Sequence, residues 1–420
     1  MEHYKEELQH GFGHFKTFVK WNICAVITGV VVGGVGTAFH HFVAFATNAF
    51  ASSNLRMIWL LPIAGILIVA CYRFCGMDND RGTNMILISV RSEEKPSLFT
   101  APLIFISTVL THLAGGSAGR EGAAIQMGGG IGYWIGRLLR LDEKDQKLII
   151  MCGMSAAFSA LFGTPVTAAI FSMEVISVGV MYYSALVPSV LSALVGYCIA
   201  IRYGVEKTFY PISALPEITI ASVVKVTLLA ILCGMVSVLF CVVMHHSAHF
   251  LKKAFPGKFT RIIVCSFLLI NMTYILGRGD FNGAGMGLLE NAVVNGNAVW
   301  YTFIFKLIFT AITLGAGFRG GEIVPSFVVG ATFGCVVSGF LGINSSFASA
   351  IGMIAVFCGV TNCPITSMVL SIEMFGAEGL IFFAVAVATS YMLSGYYGLY
   401  MGQKILYSKD RAEFINTSAH

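Results

Sequence analysis

Charge is what this chain has least of. Only 11% of its 420 residues are Asp, Glu, Lys or Arg, against 56% hydrophobic, and its mean hydropathy is +0.80. Soluble domains carry roughly 25% charged residues, so a water-facing surface is excluded over most of the length. No HExxH helix, phosphate loop or metal-spaced cluster occurs, which removes the common metallohydrolase and nucleotide-binding classes and gives no cofactor or metal to expect. The eleven cysteines are odd in number and scattered through apolar segments without paired spacing, so they read as packing residues. Runs of alternating hydrophobicity are missing too. That excludes a membrane barrel and leaves helices as the way to satisfy the backbone in lipid. The start lacks the basic leader and small-residue cleavage site of a signal peptide; with His3, Glu6, Glu7, His10 and His14 ahead of the first apolar run, residues 1–20 are expected to form an amphipathic surface helix. The net charge of +5 sits largely in short connections and ends, which suits headgroup contact rather than nucleic acid.

What is present is a series of apolar runs, many near the 20 residues that cross a bilayer. Spans are expected at 21–50, 57–74, 99–114, 183–200, 223–249, 261–276, 300–315 and 380–393, with 83–90 too short to cross and 277–287 a glycine-rich connection. Two further runs are broken, 148–174 at Gly163-Thr164-Pro165 and 348–375 at Asn362-Cys363-Pro364. These two match. A shift of 199 places Gly153, Met154, Ala156, Phe158, Pro165, Thr167, Ser172 and Glu174 on identical residues within a window of 22. Equivalent interrupted helices in two halves are the mark of a transporter built from repeats, with its site near the bilayer midplane. The chain therefore divides into a surface helix (1–20), a first repeat (21–215), a second repeat (216–410) and a tail (411–420).

Two glycine-rich turns organise the halves. Gly115-Gly116-Ser117-Ala118-Gly119-Arg120-Glu121-Gly122 leads into an apolar helix, and Gly315-Ala316-Gly317-Phe318-Arg319-Gly320-Gly321-Glu322-Ile323-Val324-Pro325 is its distant counterpart, aligned at a shift of 201 so that Glu121 falls on Glu322. Glycines at a helix start free amides where the helix dipole favours an anion, so both turns read as anion cradles. A carboxylate held there occupies the place of a dissolved anion, which makes Glu121 the first candidate for a gate or proton carrier. A carboxylate in so apolar a chain costs several kcal/mol unless it is paired or works.

These residues resemble the CLC family of chloride channels and proton-coupled halide antiporters, from about Trp21 to Tyr407. Gly119-Arg120-Glu121-Gly122 matches the G(K/R)EGP motif apart from Ala123, and Gly321-Glu322-Ile323-Val324-Pro325 matches GxFxP with Ile323 for phenylalanine. The GSGIP motif is altered to Gly82-Thr83-Asn84-Met85-Ile86, with Thr83 at the serine, and Leu399-Tyr400 resembles the ending that supplies the central tyrosine. The resemblance implies an all-α polytopic fold of two inverted-topology repeats with broken and tilted helices. It implies gating and proton transfer by Glu121 and Glu322, and an anion path along Thr83, Asn84, Met85, Gly119, Arg120, Gly122, Gly321, Ile323, Val324 and Tyr400. Tyr396 is the alternative to Tyr400 if the register there is off by a turn. The altered serine motif, Glu322, and Val175 where chloride/proton antiporters carry their internal proton-transfer glutamate all look like the fluoride-exporting branch. Against that branch, Val324 stands where threonine is frequent and Thr83 where methionine or asparagine is usual. Proton-coupled fluoride export is the favoured function, with chloride transport, as antiporter or passive channel, the alternative. The implied partners are a halide, protons, the lipid bilayer and a second copy of the chain, in a bacterial inner membrane, with no regulatory domains after His420.

Plainer readings exist for several of these residues. Glu174 and Glu373 are expected to tie helices together rather than carry protons, Glu322 to pair with Arg319 if it is structural, and Thr83 and Tyr400 to be a helix cap and a headgroup anchor outside the family context. Gly115-x-Ser117-x-Gly119 with His112 nearby also fits a hydrolase elbow, though an apolar helix rather than a strand precedes it.

Overall fold

The computed structural model describes residues 2–277 and 279–420, the side chains of residues 2–12 excepted. Sixteen helices run in order as α1 (Glu2–Ser52), α2 (Leu61–Phe74, entered by a short 3-10 turn), α3 (Thr83–Arg91), α4 (Thr100–Leu113), α5 (Glu121–Leu138), α6 (Glu143–Phe162), α7 (Pro165–Glu174) and α8 (Leu186–Arg202), then α9 (Ile220–Ala254), α10 (Lys258–Leu276), α11 (Met286–Val293), α12 (Thr302–Ala316), α13 (Ile323–Leu341), α14 (Ser345–Thr361), α15 (Pro364–Phe375) and α16 (Leu380–Leu393). Each helix of the first eight has its counterpart eight places on. The short α3 matches the short α11, and the broken pairs α6/α7 and α14/α15 match as the sequence predicts. Among the described residues, six helical stretches are long and apolar enough to cross a membrane. Side chains such as Phe74, Ile220 and Phe340, 94%, 86% and 89% exposed, are placed for lipid rather than water.

Three expectations change. The surface helix of residues 1–20 is not a separate element, because α1 continues through Trp21 with no proline to stop it. At 1.5 Å per residue its 51 residues far exceed a ~30 Å hydrocarbon core, so part of it lies outside that core. The amphipathic pattern of His3, Glu6, Glu7 and His10 lies outside the described side chains. The connection 277–287 runs into the first two residues of α11, whose eight residues are too few to show a period. The tail is not loose: β2 (Lys404–Tyr407) pairs in parallel with β1 (Ser177–Val178) and antiparallel with β3 (Phe414–Ser418), adding a small three-stranded sheet to an otherwise all-helical chain.

Glycine crossings hold each half together and fix the register between them. A Cβ on Gly128 would stand 2.3 Å from the Gly153 carbonyl oxygen, and one on Gly330 2.4 Å from that of Gly352. Gly132 and Gly334 make the same approach to Ile149 and Ala348, at 2.6 and 2.2 Å. Only glycine permits α5 on α6, and α13 on α14, at this distance. Gly128 thus answers to Gly330 and Gly132 to Gly334, a shift of 202 rather than 201. Gly119 answers to Gly321, Arg120 to Glu322, and Glu121 to Ile323. The two glutamates are not repeat equivalents. Neighbouring glycines at Gly317, Gly320 and Gly321 hide this single-residue difference in the sequence.

The seam between the halves is built from α7 and α15. Glu174, at the end of α7, accepts from the Ile365 and Thr366 amides at 3.0 and 2.7 Å and from the Thr366 hydroxyl at 2.5 Å. Glu373, near the end of α15, accepts from the Val166 and Thr167 amides at 3.1 and 2.8 Å. Each carboxylate caps the helix that follows the break in the opposite half, satisfying amides that proline-initiated helices leave unpaired. The exchange is what a two-fold relation between repeats produces.

Candidate functional site

The two glycine turns meet. Gly119 N–H donates to the Gly321 carbonyl and Gly321 N–H to the Gly119 carbonyl, both at 2.7 Å, forming an isolated antiparallel bridge across 202 residues. The starts of α5 and α13 are thereby set against each other, so the first-turn amides of both helices, which have no acceptor within their own helix, converge on one region. A Cβ on Gly321 would lie 2.6 Å from the Gly122 nitrogen and 3.0 Å from that of Glu121. The missing side chain leaves those amides open.

Glu121 fills the corresponding space on the other side. Its carboxylate is buried, 1% exposed, and Oε2 accepts from the Arg120 amide at 2.9 Å. That same oxygen lies 2.5 Å from where a Gly119 Cβ would stand. The Arg120 guanidinium adds an ion pair, Nε to Oε1 at 3.6 Å. The Glu121 carboxyl therefore sits in a cradle cleared by glycine, with one cation beside it. Arg120 faces this carboxylate.

Next to the bridge is a cavity of about 170 Å³ lined by Thr83, Asn84, Gly122, Gly321, Glu322 and Tyr400. At about 30 Å³ per water it has room for a small ion and part of its hydration shell. Thr83, at the start of α3, donates its hydroxyl to the Gly122 carbonyl at 3.1 Å and so ties α3 to the α5 cradle. Asn84 accepts the Gly402 amide at 2.7 Å, which fastens the segment carrying Tyr400. Tyr400 is 3% exposed, and its hydroxyl has no hydrogen-bond partner among the described residues. Tyr396 instead meets Ser408 at 2.9 Å in the tail, away from the cavity lining. Glu322 lines the cavity half-buried, with neither ion pair nor hydrogen bond to its carboxylate among the described residues. Arg319, the partner the sequence suggests for it, pairs with Asp80 at 3.4 Å. Met85, Gly119, Arg120, Ile323 and Val324 stay out of the cavity wall; Ile323 and Val324 form the buried first turn of α13, and Met85 lies half-buried in the first turn of α3. Sequence reasoning missed Asp80 and Gln126, joined at 3.3 Å, because neither falls in a glycine turn or a repeat match.

Ser117 is buried, its hydroxyl 3.0 Å from Lys306 Nζ and 3.1 Å from Thr310 Oγ1, and His112 Nδ1 is spent on the Thr108 carbonyl at 2.8 Å. Lys306 also donates to the Phe281 and Gly283 carbonyls, at 3.2 and 2.7 Å, and so staples the glycine turn to the loop before α11. The elbow pattern serves the turn's position.

Comparisons with known proteins agree with this geometry. The model of the family described as voltage gated chloride channel matches residues 70–395. A relative named chloride/fluoride channel protein, from Pseudomonas syringae pv. tomato, is 32% identical over 397 residues, covering 93% of this chain and 87% of its own. An H(+)/Cl(-) exchange transporter, ClcA, from Yersinia pseudotuberculosis, is 26% identical over 416 residues, covering 92% and 86%. Among solved structures, a CLC-type fluoride/proton antiporter superposes with a TM-score of 0.88 at 31% identity, covering 92% of this chain and 98% of the other. A slow cyanobacterial Cl-/H+ antiporter has a TM-score of 0.76 at 17% identity over 89% and 94%, which carries the shared fold alone.

Proposed function

We infer that this chain, which belongs to the voltage gated chloride channel family and is an integral membrane transporter of the CLC type, exports fluoride in exchange for protons. The observation that carries the reading is the meeting of the two cradles at Gly119 and Gly321, with the buried Glu121 carboxylate in one and the cavity with Glu322 and Tyr400 beside the other. In this account Glu121 holds the anion's place, takes up a proton and withdraws, and the anion then lies against the freed amides of α5 and α13 and the Tyr400 hydroxyl. Glu322, unpaired beside the cavity, is the second proton carrier. Thr83 supports the α5 turn and is within the ion path, Asn84 holds the Tyr400 segment in place, and Ile323 and Val324 contribute through their amides.

Fluoride is favoured over chloride for three reasons. Fluoride is small and strongly hydrated, so it demands compact donors or a proton to travel with, and Glu322 on the cavity wall and Glu121 in the adjoining cradle supply that proton. Val175 leaves no second glutamate after Glu174, and Glu174 itself is committed to capping α15. The solved structure at 31% identity is named a fluoride/proton antiporter, and the relative at 32% a chloride/fluoride channel protein. The chloride reading is favoured by Thr83, whose hydroxyl suits a larger, weakly hydrated ion. Efflux from liposomes loaded equally with potassium fluoride and potassium chloride, read with ion-selective electrodes, is expected to be faster for fluoride. Faster chloride release would overturn the preference.

Residues 21–215 and 216–410 are the two repeats of this transporter, and a homodimer with one pathway per subunit in a bacterial inner membrane is its expected form. Light scattering in several detergents is expected to give the mass of two chains; a single-chain mass in all of them would contradict this. A hydrolytic role finds no support at Ser117, which is buried and lines none of the cavities described above.

A further inference from the structure

The proton-coupled reading assigns the cradles but says nothing about how an anion reaches them. Beside the 170 Å³ cavity lies a much larger one of about 900 Å³, and both are lined by Arg319. Arg319 Nη1 stands 3.4 Å from Asp80 Oδ2, and its guanidinium lies over the Tyr72 ring at 4.2 Å from the centroid. The Asp80 side chain is only 2% exposed, while that of Arg319 is 24% exposed. Gln126 Nε2 donates to the same Asp80 oxygen at 3.3 Å. The larger cavity also carries Lys252, Lys258, Arg261 and Arg81, of which Lys258 pairs with Asp78 at 3.0 Å and Arg81 with Glu94 at 3.2 Å. Along this route positive charge gathers in the wide cavity, and two guanidiniums line both cavities: Arg81, which is exposed and paired with Glu94, and the more buried Arg319.

A buried carboxylate beside an anion pathway repels the cargo unless a cation answers it. Arg319 answers Asp80, yet the pair is long, at 3.4 Å, and among the described residues it makes no hydrogen bond of the kind a committed two-pronged arginine–carboxylate pair forms. The flat face on Tyr72 holds the guanidinium in place while its remaining N–H groups stay unassigned, since Asp80 is its one ion-pair partner among the described residues. We propose that Arg319 and Asp80 form an electrostatic latch at the throat between the two cavities, and that Arg319 is a specificity-determining residue which an arriving anion engages by competing with Asp80. Asp80 keeps Arg319 from binding the anion so tightly that it cannot leave, and Gln126 and Tyr72 hold the two halves of the latch in register. The latch rests on the transport reading given above, but it requires an anion and not fluoride in particular.

The test is transport in proteoliposomes by Arg319→Gln, Arg319→Lys, Asp80→Asn and the double variant Asp80→Asn/Arg319→Gln, each first shown to elute as the wild type does on size exclusion. The anion is whichever of fluoride and chloride the wild type carries, so a wrong halide assignment does not touch the outcome. Arg319→Gln leaves Asp80 unanswered and is expected to raise KM about tenfold or more, with the anion-to-proton ratio unchanged. Asp80→Asn frees the guanidinium and is expected to lower both KM and kcat. Arg319→Lys keeps the charge but loses the stacked plane, and its KM is expected between wild type and Arg319→Gln. The double variant removes both charges: relief of the repulsion from Asp80 is expected to bring its KM below that of Arg319→Gln, while the missing guanidinium keeps it above that of the wild type. A double variant no better than Arg319→Gln, or an unchanged KM in Arg319→Gln, overturns the latch. Loss of proton coupling in the wild type would instead contradict the exchange reading and leave the latch standing.

Discussion

Tyr400 presents its hydroxyl, buried and without a partner among the described residues, on the wall of a cavity that also carries Thr83, Asn84, Gln126, Glu322 and Arg319. An unpaired buried donor costs roughly 1–3 kcal/mol, which is recovered when an anion accepts from it. Tyr400→Phe is therefore expected to spare folding and raise the KM for the anion by roughly tenfold, since hydrogen bonds to charged groups contribute about 1.5–3 kcal/mol. An unchanged KM in liposome flux would take Tyr400 out of the pathway. Glu121 and Tyr400 were legible as candidates because both stand in motifs that resemble a family. Asp80 was not, since a single acid after a turn carries no sequence signal, and only the fold places it under Arg319.

At the scale of elements, the reciprocal caps decide how the halves are held. Glu174 is 7% exposed and receives three hydrogen bonds at α15, whereas Glu373 is half-buried and receives two at α7. Removing the first leaves buried donors unpaired, so Glu174→Ala is expected to cost about 2–3 kcal/mol and Glu373→Ala about 1 kcal/mol. Thermal unfolding followed by size exclusion in detergent should show the larger shift for Glu174→Ala; equal shifts, or none, would contradict the capping role. Helix breaks at Pro165 and Pro364 were readable because proline denies its helix an amide donor. The register between α5 and α13 was not, because adjacent glycines look alike in sequence and only their packing on Gly153 and Gly352 separates a shift of 202 from 201. The strands of the small sheet escaped notice for a similar reason: β1 has two residues, β2 four and β3 five, too short for alternation to stand out.

Over the whole molecule, low charge and recurrent apolar runs were enough to identify a polytopic helical membrane protein, and the repeat of broken helices pointed to a transporter. What the sequence left open is how the halves face each other, because that depends on one pair of hydrogen bonds between Gly119 and Gly321, 202 residues apart. Once joined, those turns put the Glu121 carboxyl and the cavity with Glu322 and Tyr400 on either side of the same backbone contact, which is the arrangement that the proposed exchange requires. The central claim is that Glu121 couples the two movements, and the most direct test is a fluoride gradient imposed across liposomes with proton movement read by a pH electrode. Wild-type protein is predicted to drive protons against their own gradient, and Glu121→Gln to pass fluoride with no proton movement. Undiminished proton pumping by Glu121→Gln, or no uphill proton movement by the wild type, would contradict the account.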